Sequence, residues 1–151
     1  MSRQFMAYWK PNQPSFSTPK ARLNHAASNK FKHCKVGDVV WIVTLEEGKL
    51  QLVGRIPVKY LVNHKKACQI LDQYDLWPAD WHIISDPKGG DLVRRIPIHQ
   101  IAGKLRFVTA TGKEGQVLMV NNRISGTALQ SMRTLTDDSI DLFEAALKTA
   151  K

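Results

Sequence analysis

Apolar and polar positions follow their clearest pattern between Val39 and Ile56. Val39, Trp41, Val43 and Leu45 interleave with Val40, Ile42 and Thr44, so a strand here carries apolar groups on both faces. Glu46-Glu47-Gly48 reads as a tight turn, and Leu50, Leu52, Gly54 and Ile56 continue the pattern on a return strand. A strand apolar on both sides suits a sheet closed into a barrel. Gly54 in mid-strand predicts a bulge, a bend or the close approach of a ligand. Upstream, Phe5 to Lys10 reads as a short strand ended by Pro11 and Pro14, with a Pro- and Ser-rich loop over Asn12 to Pro19. Leu23, Ala27 and Phe31 fall near helical spacing, which predicts a helix from Pro19 or Lys20 to about His33.

Downstream, Asn63 is an N-cap for a second helix with Ala67, Ile70, Leu71 and Tyr74 on its buried side, ended by Trp77-Pro78. Further strands are predicted at Trp81 to Ser85, Leu92 to Ile98, Leu105 to Thr109 and Gln116 to Val120, with a turn over Asp86 to Gly90. Thr136 caps a last helix. Asp137 and Asp138 lie in its first turn, where the helix dipole favours negative charge, and Ile140, Phe143 and Leu147 form its buried stripe. The expectation is a single α+β domain over residues 1–151.

Charge changes this picture from generic to specific. The net charge is +9, and all of the excess sits in the first half. From Met1 to Ile70, twelve Lys and Arg stand against Asp38, Glu46 and Glu47; from Leu71 to Lys151, ten stand against ten. Such asymmetry suits a phosphate backbone, although a solubilising surface produces it too. No apolar run reaches membrane-spanning length, and the N-terminus lacks a signal-peptide core. Cys34 and Cys68 belong to no Cys-x-x-Cys and read as free thiols, so the expected compartment is the cytoplasm.

Motifs argue against catalysis. The five histidines (His25, His33, His64, His82 and His99) are scattered, and His25 and His33 are poorly spaced for a metal. Asn63-His64 lacks the context of an HNH nuclease. Asp38 followed by Glu47-Gly48-Lys49 could pass for a metal-dependent nuclease signature, but a turn would point Glu47 to solvent. Gly112, Gly115 and Gly126 are isolated turn glycines, and no Gly-rich phosphate loop or Gly-x-Ser-x-Gly occurs. No enzyme, cofactor or metal is expected.

Several segments together resemble a known family. They are Tyr8-Trp9, the run Asn24-His25-Ala26-Ala27-Ser28-Asn29-Lys30-Phe31, the Lys35-Val36-Gly37-Asp38 opening to the hairpin, Leu52-Val53-Gly54, and Met132-Arg133-Thr134-Leu135-Thr136-Asp137-Asp138. In this order they resemble the EVE domain of the PUA-like superfamily, which also holds YTH, ASCH and SRA-type readers. The resemblance spans nearly the whole chain. Ala27-Ser28-Asn29 stands where the commonest form has Ala-Arg-Asn, and the Trp-x-Gly-Val-Arg-Asn before it is missing. The resemblance implies a mixed β pseudo-barrel, with about three helices packed outside, and a pocket that accepts a modified or flipped base. The function expected on this footing is the reading of a methylated base in DNA. The resemblance also implies a separate nuclease chain as a partner.

Reading a base out of its stack needs aromatic faces and polar groups for the base edge. Tyr8, Trp9, Trp41, Trp77 and Trp81 are the aromatic candidates, each with core packing as its competing role. Asn24, His25, Ser28 and Asn29 are the polar candidates: on a helix, Asn24 and Ser28 would share one face and His25 and Asn29 another. Thr44 is a further contact. Lys30, Lys32, Lys35, Lys59, Lys65, Lys66, Arg94, Arg95 and Arg106 are the phosphate candidates. Two readings stay open beside modified DNA: an RNA- or tRNA-binding domain with no preference for modification, and a sensor of a small nucleotide-like ligand or protein-interaction module.

Overall fold

A computed structural model describes residues 3–150, and among them the chain forms twelve strands and three α-helices in an α+β arrangement. In order come β1 (Gln4–Tyr8), β2 (Arg22–Leu23), β3 (His25–Ala27), β4 (Val39–Glu46), β5 (Lys49–Pro57), β6 (Tyr60–Val62) and α1 (His64–Leu71). β7 (His82–Ile84), β8 (Asp91–Leu92), β9 (Ile96–Pro97), α2 (His99–Ala102), β10 (Arg106–Val108), β11 (Glu114–Gln116), β12 (Arg133–Leu135) and α3 (Asp137–Thr149) follow. Seven strands form one sheet in the order β11-β10-β12-β1-β4-β5-β9, with β1 and β4 parallel. β3-β7-β6 and β2-β8 are separate smaller sheets. No helix among the described residues is long and apolar enough to cross a membrane.

The hairpin predicted from the alternation is the centre of the fold. Glu47 (φ 52°) and Gly48 (φ 77°) close it, with Glu46 opposite Lys49. Two successive left-handed residues match the twist of the flanking strands. Of the bulge, bend or close ligand approach expected at Gly54, a bulge is present: Ile42 faces Gly54 but Val43 faces Leu52, so Val53 is the extra residue. What approaches Gly54 closely is Leu23, whose Cδ2 would lie 2.7 Å from a Cβ added there.

The two apolar faces of β4 have a different explanation from barrel closure. The seven-stranded sheet is open, with β11 and β9 at its edges, and a separate core lies on each side. Trp41, Val43 and Leu45 enter the first core with Leu50, Leu52, Leu105, Phe107, Phe143 and Leu147, covered by α2 and α3. Val40 and Ile42 enter the second with Phe5, Ala7, Leu23, Ala26, Phe31, Val53, Ile56 and Ile83, covered by the small strands. Period-two alternation sends neighbours to opposite sides, and a side chain fully buried on either side contributes about 1.5–3 kcal/mol.

The predicted helix from Pro19 to His33 is absent. That stretch forms β2, β3 and a 3-10 turn over Asn29–His33, capped by Ser28, whose hydroxyl accepts from the Lys30 amide. Leu23 pairs opposite Asp91, and Ala26 opposite Ile83. Pairing with distant strands outweighs a helical spacing that rested on three residues. α1 begins as predicted, with the Asn63 side chain accepting from the Lys66 amide, but it stops at Leu71, where Asp72 turns left-handed (φ 53°). The strand expected from Leu92 to Ile98 is split into β8 and β9. β11 falls earlier than predicted, leaving Leu118 and Val120 exposed. The last helix agrees with expectation, with Thr136 accepting from the Ser139 amide and Phe143 and Leu147 buried.

Candidate functional site

The two faces of the sheet divide the aromatic candidates. Successive residues of β1 point opposite ways, so Tyr8 packs on the first core and Trp9 on the second. Tyr8 is partly buried beneath the 3-10 turn at Gly126–Leu129, and burial raises its phenol pKa. Trp41 is completely buried against Phe143, with ring centroids 5.5 Å apart, and its Nε1–H donates to Gln4 Oε1 at 2.6 Å. Trp41 is therefore a core residue, beyond reach of a base. Thr44 is also fully buried, and its hydroxyl donates to the Trp9 carbonyl at 2.8 Å, so it fixes the end of β1 and contacts nothing outside.

Trp9 and Trp81 remain, both partly exposed and both packed at the margin of the second core. Trp9 meets Phe16 edge-on at 6.3 Å, and the Arg95 guanidinium lies 4.9 Å from the Phe16 ring centroid. Gln51 holds that guanidinium by accepting from its Nε at 2.9 Å, while the Gln51 amide donates to Glu46 at 2.8 Å. The sequence reading missed Phe16, Gln51 and Glu46, because they join through contacts between distant segments. Trp81 sits beside the polar run: its carbonyl accepts from the Ser28 amide at 3.0 Å, and Asn29 Oδ1 accepts from the Asp80 amide at 2.9 Å. Trp77 is 73% exposed in the segment after α1, as is Tyr74.

The helical pairing of the polar candidates does not survive the extended backbone. Ser28 caps the 3-10 turn, and the Asn24 carbonyl holds the Ser85 amide. His25 faces two other histidines. Its Nε2 lies 2.7 Å from His82 Nδ1, and His82 Nε2 lies 3.2 Å from His64 Nδ1 and 3.0 Å from the Ala79 carbonyl. His64 Nε2 in turn lies 3.6 Å from Cys68 Sγ. Three of the five histidines thus meet, which their sequence spacing hid because they come from β3, β7 and α1. Burial, then the neighbouring His82 and His64, push the His25 pKa down to about 4. Burial also lowers His82, against the bond to Ala79. The nitrogens pair across separate contacts instead of converging, and no group of His, Cys, Asp or Glu among the described residues is arranged to hold a metal ion.

The basic candidates also divide. Lys30, Lys32, Lys35 and Lys59 are exposed on or beside the 3-10 turn, the Lys35–Asp38 loop and the start of β6. The Gly37 amide joins that loop to Val58, and Arg3 donates to the His33 carbonyl at 2.7 Å, so these segments form one basic edge. Asp38 is buried there and accepts from the amides of Arg3 and Lys35, which gives the Lys-Val-Gly-Asp motif a structural role. Lys65 and Lys66 are exposed on α1. Arg106 donates to the carbonyls of Gly103 and Leu105, and Arg94 to that of Ala150, so both guanidinium groups engage carbonyls at or just beyond the ends of helices α2 and α3. Cys34 is buried, and burial followed by the Asp38 charge pushes its thiol pKa up to about 11, so it is inert.

Two open clefts, of about 300 Å³ beside Leu118 and Val120 and about 390 Å³ beside Phe107 and Met132, include none of the aromatic or polar candidates. No protein-family model matches this chain, and no curated protein or solved structure shows significant similarity to it.

Proposed function

We propose that this protein is a non-catalytic nucleic-acid-binding domain of PUA-like architecture. It reads a base turned out of its stack, a methylated base in DNA. The observation that carries the proposal is the margin of the second core. Trp9, with Phe16 and Arg95, and Trp81, with Ser28 and Asn29, are half-exposed there on the face built largely from the basic half of the chain. On the opposite face of the sheet, the large aromatic groups Trp41, Phe107 and Phe143 are buried in the first core. Half-exposed rings supply stacking faces, at about 1–3 kcal/mol per base. The edge formed by Lys30, Lys32, Lys35 and Lys59 supplies phosphate contacts that position the strand without reading it. A separate nuclease chain would act on what this domain recognises.

Fluorescence anisotropy tests the reading, using matched DNA and RNA duplexes with and without methylated cytosine or adenine at two salt concentrations. The expected result is tighter binding to one methylated DNA, lost on Trp81→Ala or Trp9→Ala. Equal, salt-sensitive binding to every oligonucleotide would reduce the protein to a backbone binder. Preference for RNA regardless of methylation would favour the RNA-binding alternative.

A further inference from the structure

The histidine array has a hydrogen-bond logic that fixes how many protons it holds. The Ala79 carbonyl can only accept, so His82 Nε2 carries a hydrogen. A neutral His82 then has a bare Nδ1, which accepts from His25 Nε2–H at 2.7 Å. The two rings lie 16° from parallel with centroids 5.0 Å apart, and at that nitrogen separation they meet through their edges. His64 Nδ1, at 3.2 Å, shares the His82 Nε2 hydrogen, which leaves the His64 hydrogen on Nε2, toward Cys68 Sγ. Three neutral rings satisfy every contact, with hydrogens running one way from β3 through β7 to α1.

Additional protons fit poorly. One on His82 Nδ1 would oppose the His25 N–H, and one on His64 Nδ1 would oppose the His82 N–H. Only His25 Nδ1 could take a proton with the bonds unchanged, and burial disfavours the charge there. No compensating carboxylate touches the rings: the ion pairs found among the described residues are Arg3–Asp38 and Arg55–Glu144. On the elements packed around the array, Lys59 precedes β6, Tyr60 lies on β6, Lys65 and Lys66 lie on α1, and Asp72, Asp75 and Asp80 follow α1. All seven are exposed. The charges that shift His25 and His82 are those of the histidines themselves.

We propose that His25, His82 and His64 form an acid-sensitive latch that holds β3, β7 and α1 together while neutral and releases them on taking up more than one proton. An opened array frees His25 and His82 to titrate near the ordinary histidine pKa, about 6.5, so opening is linked to two protons. Trp81 immediately precedes β7, and its carbonyl holds the Ser28 amide, so release also disassembles one side of the binding margin. That last consequence rests on the function proposed above; the latch does not.

The test is amide-exchange protection with histidine NMR on the free protein, from about pH 7 to pH 4.5, with no nucleic acid present. Protection in β3, β7 and α1 is expected to fall more than about tenfold per pH unit below about pH 6, beyond the slope of a single proton, while β4 stays protected. His82→Gln can accept from His25 and donate to Ala79 without titrating, and should reduce that slope to about tenfold per unit or less. If this variant does not fold, the wild-type titration still decides. A single-proton slope, or protonation of His25 and His82 with protection unchanged, would overturn the latch.

Discussion

The two faces of the central sheet are covered in different ways. On one, α2 and α3 cover Trp41, Leu50, Leu52 and Phe143, all less than 1% exposed. On the other, short strands cover Phe5, Ile42 and Ile83 but leave Trp9, Phe16 and Trp81 partly exposed at the margin. The first cover is built on α3, a continuous helix whose apolar stripe recurs at one spacing, with the short α2 beside it. The second is pieced together from β2, β3, β6, β7, β8 and a 3-10 turn, joined by short two- and three-stranded ladders, the histidine array and isolated polar bonds. A patchwork leaves seams, and seams are where aromatic and titratable groups become available for recognition. The helix-covered face therefore carries stability, and the patchwork face carries the candidate chemistry.

The largest effect that separates the faces is loss of packing beneath α3. Phe143→Ala should destabilise the protein by about 3–5 kcal/mol, measured by urea unfolding. If the faces have separate roles, the folded fraction should keep its affinity for nucleic acid.

Acid should act on the other face. With its folded pKa pushed down to about 4, His25 binds a proton more readily unfolded than folded between about pH 6.5 and pH 4. Its contribution is present above that window and lost as pH falls through it, up to about 3 kcal/mol in total. Urea midpoints measured across the window would show the loss, and His25→Gln should flatten it. An unchanged pH profile in that variant would assign the acid sensitivity elsewhere.

Gly54→Ala sharpens the comparison at the seam itself. A positive φ of 152° and the close Leu23 side chain should make the substitution cost about 1–3 kcal/mol in thermal or urea unfolding. Trp81→Ala should instead cost about 1–3 kcal/mol of binding, with a smaller change in stability because the ring is half-exposed. The smallest effect is electrostatic. Lys35→Ala should lower the slope of log affinity against log salt by about one, with little change in the preference among bases.

The sequence was most informative where one segment contained its own instructions. The β4–β5 hairpin has its alternation and turn residues within one continuous stretch, and the caps at Asn63 and Thr136 each act within three residues. Pro19 to His33 misled because its apolar spacing imitates a helix, whereas its backbone pairs with strands far along the chain. Trp9 and Trp81 could be set ahead of Trp41, whose strand neighbours are apolar on both faces, but the sequence did not show that both would lie at the margin of one core. Phe16 and Gln51 carried no signal, because their role comes from Arg95 lying between them.

By itself, the sequence determined the α+β class, the central hairpin, the helix starts capped by Asn63 and Thr136, and the concentration of positive charge in the first half. These depend on residue periodicity, local backbone preference and composition, which act over a few residues or over the whole chain. Tertiary structure alone decided that the sheet stays open with a core on each side, which tryptophans are sealed, and that His25, His64 and His82 meet. Those outcomes depend on which distant segments lie side by side, a property of pairing and packing that no local pattern encodes.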